Sequence, residues 1–123
     1  MLIRGLAHAL AINRTLFGLG YVVAPDRTGA NWVGKVAEDE GTQVLTRALG
    51  ARDFVLGIGA VRALATRRDV RDWFAAHAVA DTTDLVATLV AKDRLPKRSF
   101  AFATAMSAGS AAIAIAATLA PPQ

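Results

Sequence analysis

Residues 99–123 contain no charged side chain. Within them, the stretch SFAFATAMSAGSAAIAIAATLA (99–120) is long enough to cross a bilayer, which takes about 20 predominantly apolar residues. It follows the sequence PKR and is followed by Pro121 and Pro122, so both of its ends are marked. Its apolar side chains surround the helix instead of forming one stripe, and its small residues permit close packing between helices. This stretch therefore predicts a transmembrane helix.

Three further apolar stretches predict helices of similar length, although each also contains charged side chains. They cover residues 5–24, 45–66 and 70–91. An arginine or aspartate at the centre of a span costs about 2.5–3.5 kcal/mol on an insertion scale, so such residues must face the bundle interior or an interface. The chain is accordingly predicted to be all-α, a single domain over 1–123 that forms a four-transmembrane-helix bundle. A soluble four-helix bundle is the alternative.

The segment between the first two predicted spans, residues 26–43, mixes apolar and charged side chains. Trp32, Val33 and Val36 alternate with a lysine and a run of acidic residues. This pattern predicts a short amphipathic interfacial helix, with Trp32 at the depth of the lipid headgroups. A soluble loop with one helical turn is the alternative interpretation.

The stretch HAVADTTD (77–84) places polar side chains inside an apolar helix. At 100° per residue, His77, Asp81 and Asp84 fall within about 60° of one another, so they form one narrow stripe. Polar side chains inside a membrane helix face the bundle interior and find partners there. The partners offered by the other spans are Arg14 in the first and the neighbouring Arg52 and Asp53 in the second. We therefore predict an intramembrane polar cluster made of Arg14, Arg52, Asp53, His77, Asp81 and Asp84.

Two roles are open for this cluster. Arginine–aspartate pairs can fix the register of helices without any chemistry. Alternatively, intramembrane carboxylates and a histidine can carry a proton, bind a cation or hold a polar lipid headgroup. His77 and Asp81 have a spacing suited to a metal, but two further ligands would be needed and the chain has only two histidines. We predict no metal, no cofactor and no catalytic residue.

Composition and charge exclude several classes of protein. The chain has no cysteine, so disulfides and thiolate chemistry are excluded. Its net charge of +4 suits an anionic partner. Basic clusters at 65–72 and 92–99 separate apolar segments, which favours membrane lipids over nucleic acid as the partner. The glycine pairs GLG and GIG do not complete a nucleotide-binding loop, and no catalytic motif is present, so an enzyme is not expected.

The order of the segments NRTLFGLGYVVAP, RALGARDFVLGIGAVRAL and WFAAHAVADTTDLVATL, closed by an alanine-rich helix, is similar to a family of short bacterial integral membrane proteins of unknown function. LGARDFVLG (49–57) and HAVADTTD (77–84) are the most specific pieces. The resemblance implies four transmembrane helices in the bacterial inner membrane and no assigned reaction. We expect a structural or accessory protein, as a homo-oligomer or a subunit of a larger membrane complex. The alternative is a minimal carrier or binding protein for a proton, a cation or a polar lipid.

Overall fold

The structure, a computed structural model, describes residues 2–120, and in them the chain is all-α, as predicted. Two short 3-10 turns, Gly34–Glu38 and Lys92–Arg94, lie between the α-helices. The prolines expected to end the last helix, Pro121 and Pro122, lie outside the described residues. The α-helices are α1 (Leu2–Val23), α2 (Pro25–Val33), α3 (Glu40–Ala65), α4 (Arg71–Val90) and α5 (Lys97–Leu119).

In the described part of the chain, only α1 and α5 are long and apolar enough to be candidate spans by length and composition. The charged side chains of α3 and α4, foremost Arg52, Asp53 and Asp81, lower the mean hydropathy of these two helices. The prediction of four spans is therefore not confirmed: two of the four long helices meet the criterion among residues 2–120.

Helices α1 and α3 form the closest pair, and glycine makes their approach possible. A Cβ atom added at Gly50 of α3 would lie 2.7 Å from the carbonyl oxygen of Gly18 and 2.7 Å from the Cβ of Tyr21, both on α1. About two turns further along α3, Gly57 lies equally close to Thr15 of α1. The two backbones are thus in direct contact, an approach that only residues without a side chain allow.

Helices α4 and α5 form the second pair, which packs on the first through small side chains. On α5 the buried residues include Ala103, Ser107, Ala111 and Ala114. An apolar core lies where the two pairs meet, and its largest fully buried apolar side chain is Phe74. Because the buried residues of α5 are small, the helices approach one another closely, and most of the buried apolar residues are alanines.

The segment expected to be one amphipathic helix is divided into two pieces. Helix α2 ends at Val33, and Gly34 adopts a positive φ of 71°, where a side chain would be unfavourable. The 3-10 turn follows, and the side chain of Asp39 then accepts a hydrogen bond from the backbone N–H of Thr42 at the start of α3. The ring of Trp32 packs edge-on against Phe102 of α5, with 6.3 Å between centroids. Trp32 therefore contacts the bundle.

The outward faces of the long helices carry large apolar side chains. Val55 on α3 and Val79 on α4 are 57% and 68% exposed. On α1 such side chains recur along the whole helix: Leu2, Leu6, Ile12, Leu16, Leu19 and Val23. The buried side chains, by contrast, include several that are polar or charged, and arginine and aspartate are seldom buried in water-soluble proteins.

Candidate functional site

Arg52 connects α3 to α4. Its Nη1 donates to Oδ1 of Asp84 at 3.1 Å, and its Nη2 donates to Oδ2 of the same carboxylate at 2.7 Å. Such a pair of parallel hydrogen bonds matches the planar guanidinium to the planar carboxylate and fixes both side chains. The Arg52 side chain also reaches Asp53, the next residue on its own helix, from Nε at 3.1 Å and Nη2 at 3.0 Å.

Asp53 lies between the two arginines. Its Oδ1 accepts from Arg52 and also from Nη1 of Arg14 on α1, at 3.3 Å. The other terminal nitrogen of Arg14, Nη2, donates to Oδ1 of Asp81 on α4. The five side chains thus alternate in charge from Asp84 through Arg52, Asp53 and Arg14 to Asp81. Because the first and last of them stand three residues apart on α4, we call these five residues the ion ring.

Burial differs around the ion ring. The Arg14 and Asp81 side chains are 7% and 4% exposed, whereas those of Arg52 and Asp84 are 33% and 19% exposed. Removing two charges from water costs several kcal/mol per ion, and good hydrogen-bond geometry must offset that cost. The ring therefore has a dry end at Arg14 and Asp81, and a wetter end at Arg52 and Asp84.

The ion ring contains one more carboxylate than guanidinium group. One fully buried carboxylate oxygen of the ring is also unpaired: Oδ2 of Asp81 has no hydrogen-bond partner among residues 2–120. Buried carboxylate oxygens normally have a partner, because an unpaired one loses its hydration without replacement. Asp81 is thus the least satisfied member of the ring.

His77 lies one turn from Asp81 but outside the ion ring. Its Nε2 donates to the backbone carbonyl of Leu56 on α3 at 2.9 Å, and its ring packs on Phe74 with 5.3 Å between centroids. Since a carbonyl can only accept, Nε2 carries the hydrogen, and the buried Nδ1 has no partner within the described chain. The histidine therefore joins α4 to α3 through the backbone, whereas we expected it within the charged cluster.

A cavity of about 40 Å³ adjoins the ion ring, and residues of all five α-helices line it. About three water molecules fit into such a volume. Trp32 and Phe102 lie against its apolar side. Its polar lining comprises Asn13, Arg14, Tyr21, Asp53, Asp81, Asp84, Ser107 and Ser110. Among residues 2–120 no group of three or more histidine, cysteine or acidic side chains is placed to hold a metal ion.

Sequence reasoning selected the five members of the ion ring, and it missed the contribution of α5. Ser107 and Phe102 lie in a helix without charge, and the sequence offers no local signal that separates the serines lining the cavity from the others nearby. The contact of Trp32 with Phe102 is likewise a consequence of how α2 packs on α5.

Searches of protein-family models, of curated proteins and of solved structures find no match to this chain. The resemblance to a family of small bacterial membrane proteins therefore stays a prediction.

Proposed function

We propose that the protein is a small integral membrane protein of structural or accessory type, in which all four long helices cross the bilayer of a bacterial inner membrane. The observation that carries this proposal is the distribution of charged and apolar side chains in the bundle. Ionised side chains are enclosed between the helices, while large apolar side chains occupy the outward faces.

The exposed apolar side chains form continuous surface and are not scattered. On α1 they recur at intervals of no more than six residues from Leu2 to Val23, over the whole helix. Water-soluble monomers seldom expose contiguous apolar patches larger than a few hundred Å². In hydrocarbon the same surface carries no penalty, because the lipid tails are as apolar as the side chains.

The charges in the ion ring on α3 and α4 are compatible with spans because they face inward, whereas the exposed charges of these helices lie toward their ends. Arg52 on α3 is paired with Asp84 on α4, and Asp53 on α3 is paired with Arg14 on α1. These ionised groups therefore have partners inside the bundle. At 1.5 Å per residue the four long helices measure about 30 to 39 Å, and a hydrocarbon core of about 30 Å requires this length.

In this proposal the ion ring has a structural role: it fixes the register of the α1–α3 pair against the α4–α5 pair. A charged pair out of register would leave both ions uncompensated in a medium without water, so the ion pairs select one register. A bundle of fixed register suits an accessory protein that assembles with copies of itself or with a larger membrane complex.

A second candidate is a minimal carrier or binding protein for a proton, a cation or a polar lipid. The cavity beside the ion ring and the unpartnered oxygen of Asp81 favour it. In this candidate the five residues of the ion ring link the helices and also form the binding site.

Extraction of bacterial membranes tests the membrane proposal. Carbonate and high salt strip proteins that adhere to the surface, whereas proteins that span the bilayer are released only by detergent. We expect the full chain to stay in the pellet after both washes and to enter solution with detergent. Recovery of a folded monomer in the soluble fraction would contradict the proposal.

A further inference from the structure

We propose that the ion ring binds one exchangeable proton, held on Oδ2 of Asp81. This proposal deepens the second candidate function by naming the proton as the species bound, and it rests on the burial of the ring. The observations that carry it are the surplus carboxylate of the ring, the unpartnered oxygen and the adjoining cavity.

The charges of the ring require a further positive charge. With two guanidinium groups and three carboxylates, the fully ionised ring carries one net negative charge inside the bundle. A buried charge without compensation is so unfavourable that the group takes up a proton or binds an ion instead. The alternation of charge ends at Asp84 and Asp81, two carboxylates that stand side by side on α4, so the added positive charge belongs there.

The hydrogen bonds single out Asp81 as the carboxylate that binds the proton. Asp53 accepts from both arginines, and Asp84 accepts two parallel bonds from Arg52 at the wetter end. Asp81 accepts only from Arg14, through Oδ1. Oδ2 of Asp53 also accepts no hydrogen bond among residues 2–120, but only Oδ2 of Asp81 is both fully buried and without a partner there. A hydrogen on Oδ2 of Asp81 therefore displaces no donor and removes the need for one at a buried oxygen. The titratable and charged groups that line the cavity with this carboxyl are Arg14 and Tyr21 from α1, Asp53 from α3 and Asp84 from α4, and the helix α5 contributes only the uncharged Ser107 and Ser110 to its polar side. Arg52 is bonded to Asp53 and Asp84, and His77 lies one turn away on α4.

A proton fits this place better than a metal cation. Metal cations such as Ca²⁺ take six to eight oxygen ligands, and Mg²⁺ takes six. The oxygens of Asp84 and Oδ1 of Asp53 already accept from guanidinium groups, and the described residues contain no cluster with metal-ligand geometry. The cavity beside Asp81 has room for about three waters, and waters there would supply a route by which the proton exchanges with solvent.

Infrared spectroscopy of the purified full chain near neutral pH tests the proposal, because a protonated carboxyl has a carbonyl-stretch band that a carboxylate lacks. We expect that band in the wild-type protein, with a shift to lower frequency in D₂O. Asp81→Asn should abolish it. Asp84→Asn should abolish it as well, because two carboxylates then balance two guanidinium groups. Asp72→Asn, at the exposed start of α4, should leave it unchanged.

Folding is checked by circular dichroism for every variant. Absence of the band from folded wild-type protein overturns the proposal, and so does a band that survives in Asp81→Asn or in Asp84→Asn. A band that appears only after Na⁺ and K⁺ are removed also overturns it, since a metal cation then occupies the ring. The spectrum is recorded on whichever fraction contains the protein, so its result is separate from that of the membrane extraction. If Asp81→Asn fails to fold, the presence of the band in wild-type protein and its loss in Asp84→Asn still test the proposal.

Discussion

Arg52 and Asp84 join the two halves of the bundle through two parallel hydrogen bonds of 3.1 and 2.7 Å. The helices that carry them, α3 and α4, contact each other far less than α3 contacts α1 or α4 contacts α5. The register of α3 against α4 therefore depends largely on a few polar links, of which this one has the most regular geometry.

A double-mutant cycle measures this link. We expect Arg52→Ala and Asp84→Ala to show a coupling free energy of unfolding of about 0.5–3 kcal/mol in detergent, in the lower part of that range because the Arg52 side chain is one-third exposed. Arg62→Ala, at an exposed arginine near the end of α3, is the matched control, and its effect should add to that of Asp84→Ala. Additive effects for Arg52 and Asp84 would show that the pair contributes nothing to the bundle.

Asp53 is the member of the ion ring on which both arginines depend. Asp53→Ala leaves Arg14 buried without one of its carboxylates and removes the intrahelical partner of Arg52, and breaking a buried pair typically costs about 3–5 kcal/mol. Val55→Ala, two residues away on the outward face, should have a small effect in detergent. Thermal unfolding of both variants checks this. Similar losses would mean that Asp53 does not face the interior.

The contact between Gly50 and Gly18 predicts a contrast between two glycine-to-alanine substitutions in helices. In Gly50→Ala the new methyl group meets a backbone oxygen and a Cβ at 2.7 Å, so α1 and α3 must separate, which should cost about 1–3 kcal/mol. Gly109→Ala has open space around it and should be neutral, or stabilising by up to about 1 kcal/mol, because alanine favours the helix. Thermal unfolding compares them. Equal effects would contradict the close approach of the two helices.

Helical periodicity was sufficient to predict the long helices and the polar stripe. The spacing of Asp81 and Asp84 places them on one face of the helix. Because ionised groups in an apolar helix must face inward, the sequence also predicts that these aspartates contact Arg14 and Arg52. The exact pairing did not follow, because it depends on the register between helices, which contacts such as Gly18 with Gly50 determine. For the same reason the bond from His77 to the Leu56 carbonyl and the role of Ser107 were missed. The break at Gly34 depends on how α2 packs against α5.

With four spans, both ends of the chain and the α3–α4 connection lie on one side of the membrane. The other side carries more lysine and arginine, including Lys92, Arg94, Lys97 and Arg98 in and around the α4–α5 connection. The positive-inside rule places that side in the cytoplasm. A fusion of alkaline phosphatase to the carboxyl end should be active, and a fluorescent protein fused there should be dark. Fluorescence without phosphatase activity would reverse the orientation.

The central claim, that lipid covers the outward apolar faces, is tested most directly at Val79. This side chain is 68% exposed near the middle of α4, and the chain contains no cysteine, so Val79→Cys introduces a single thiol. A water-soluble maleimide is applied to right-side-out and inverted membrane vesicles, with Lys35→Cys and Arg94→Cys as exposed controls outside the long helices. We predict that each control is labelled from one side and that Val79→Cys is labelled only after denaturation in SDS. Labelling of Val79→Cys in native vesicles as fast as the controls would contradict the account.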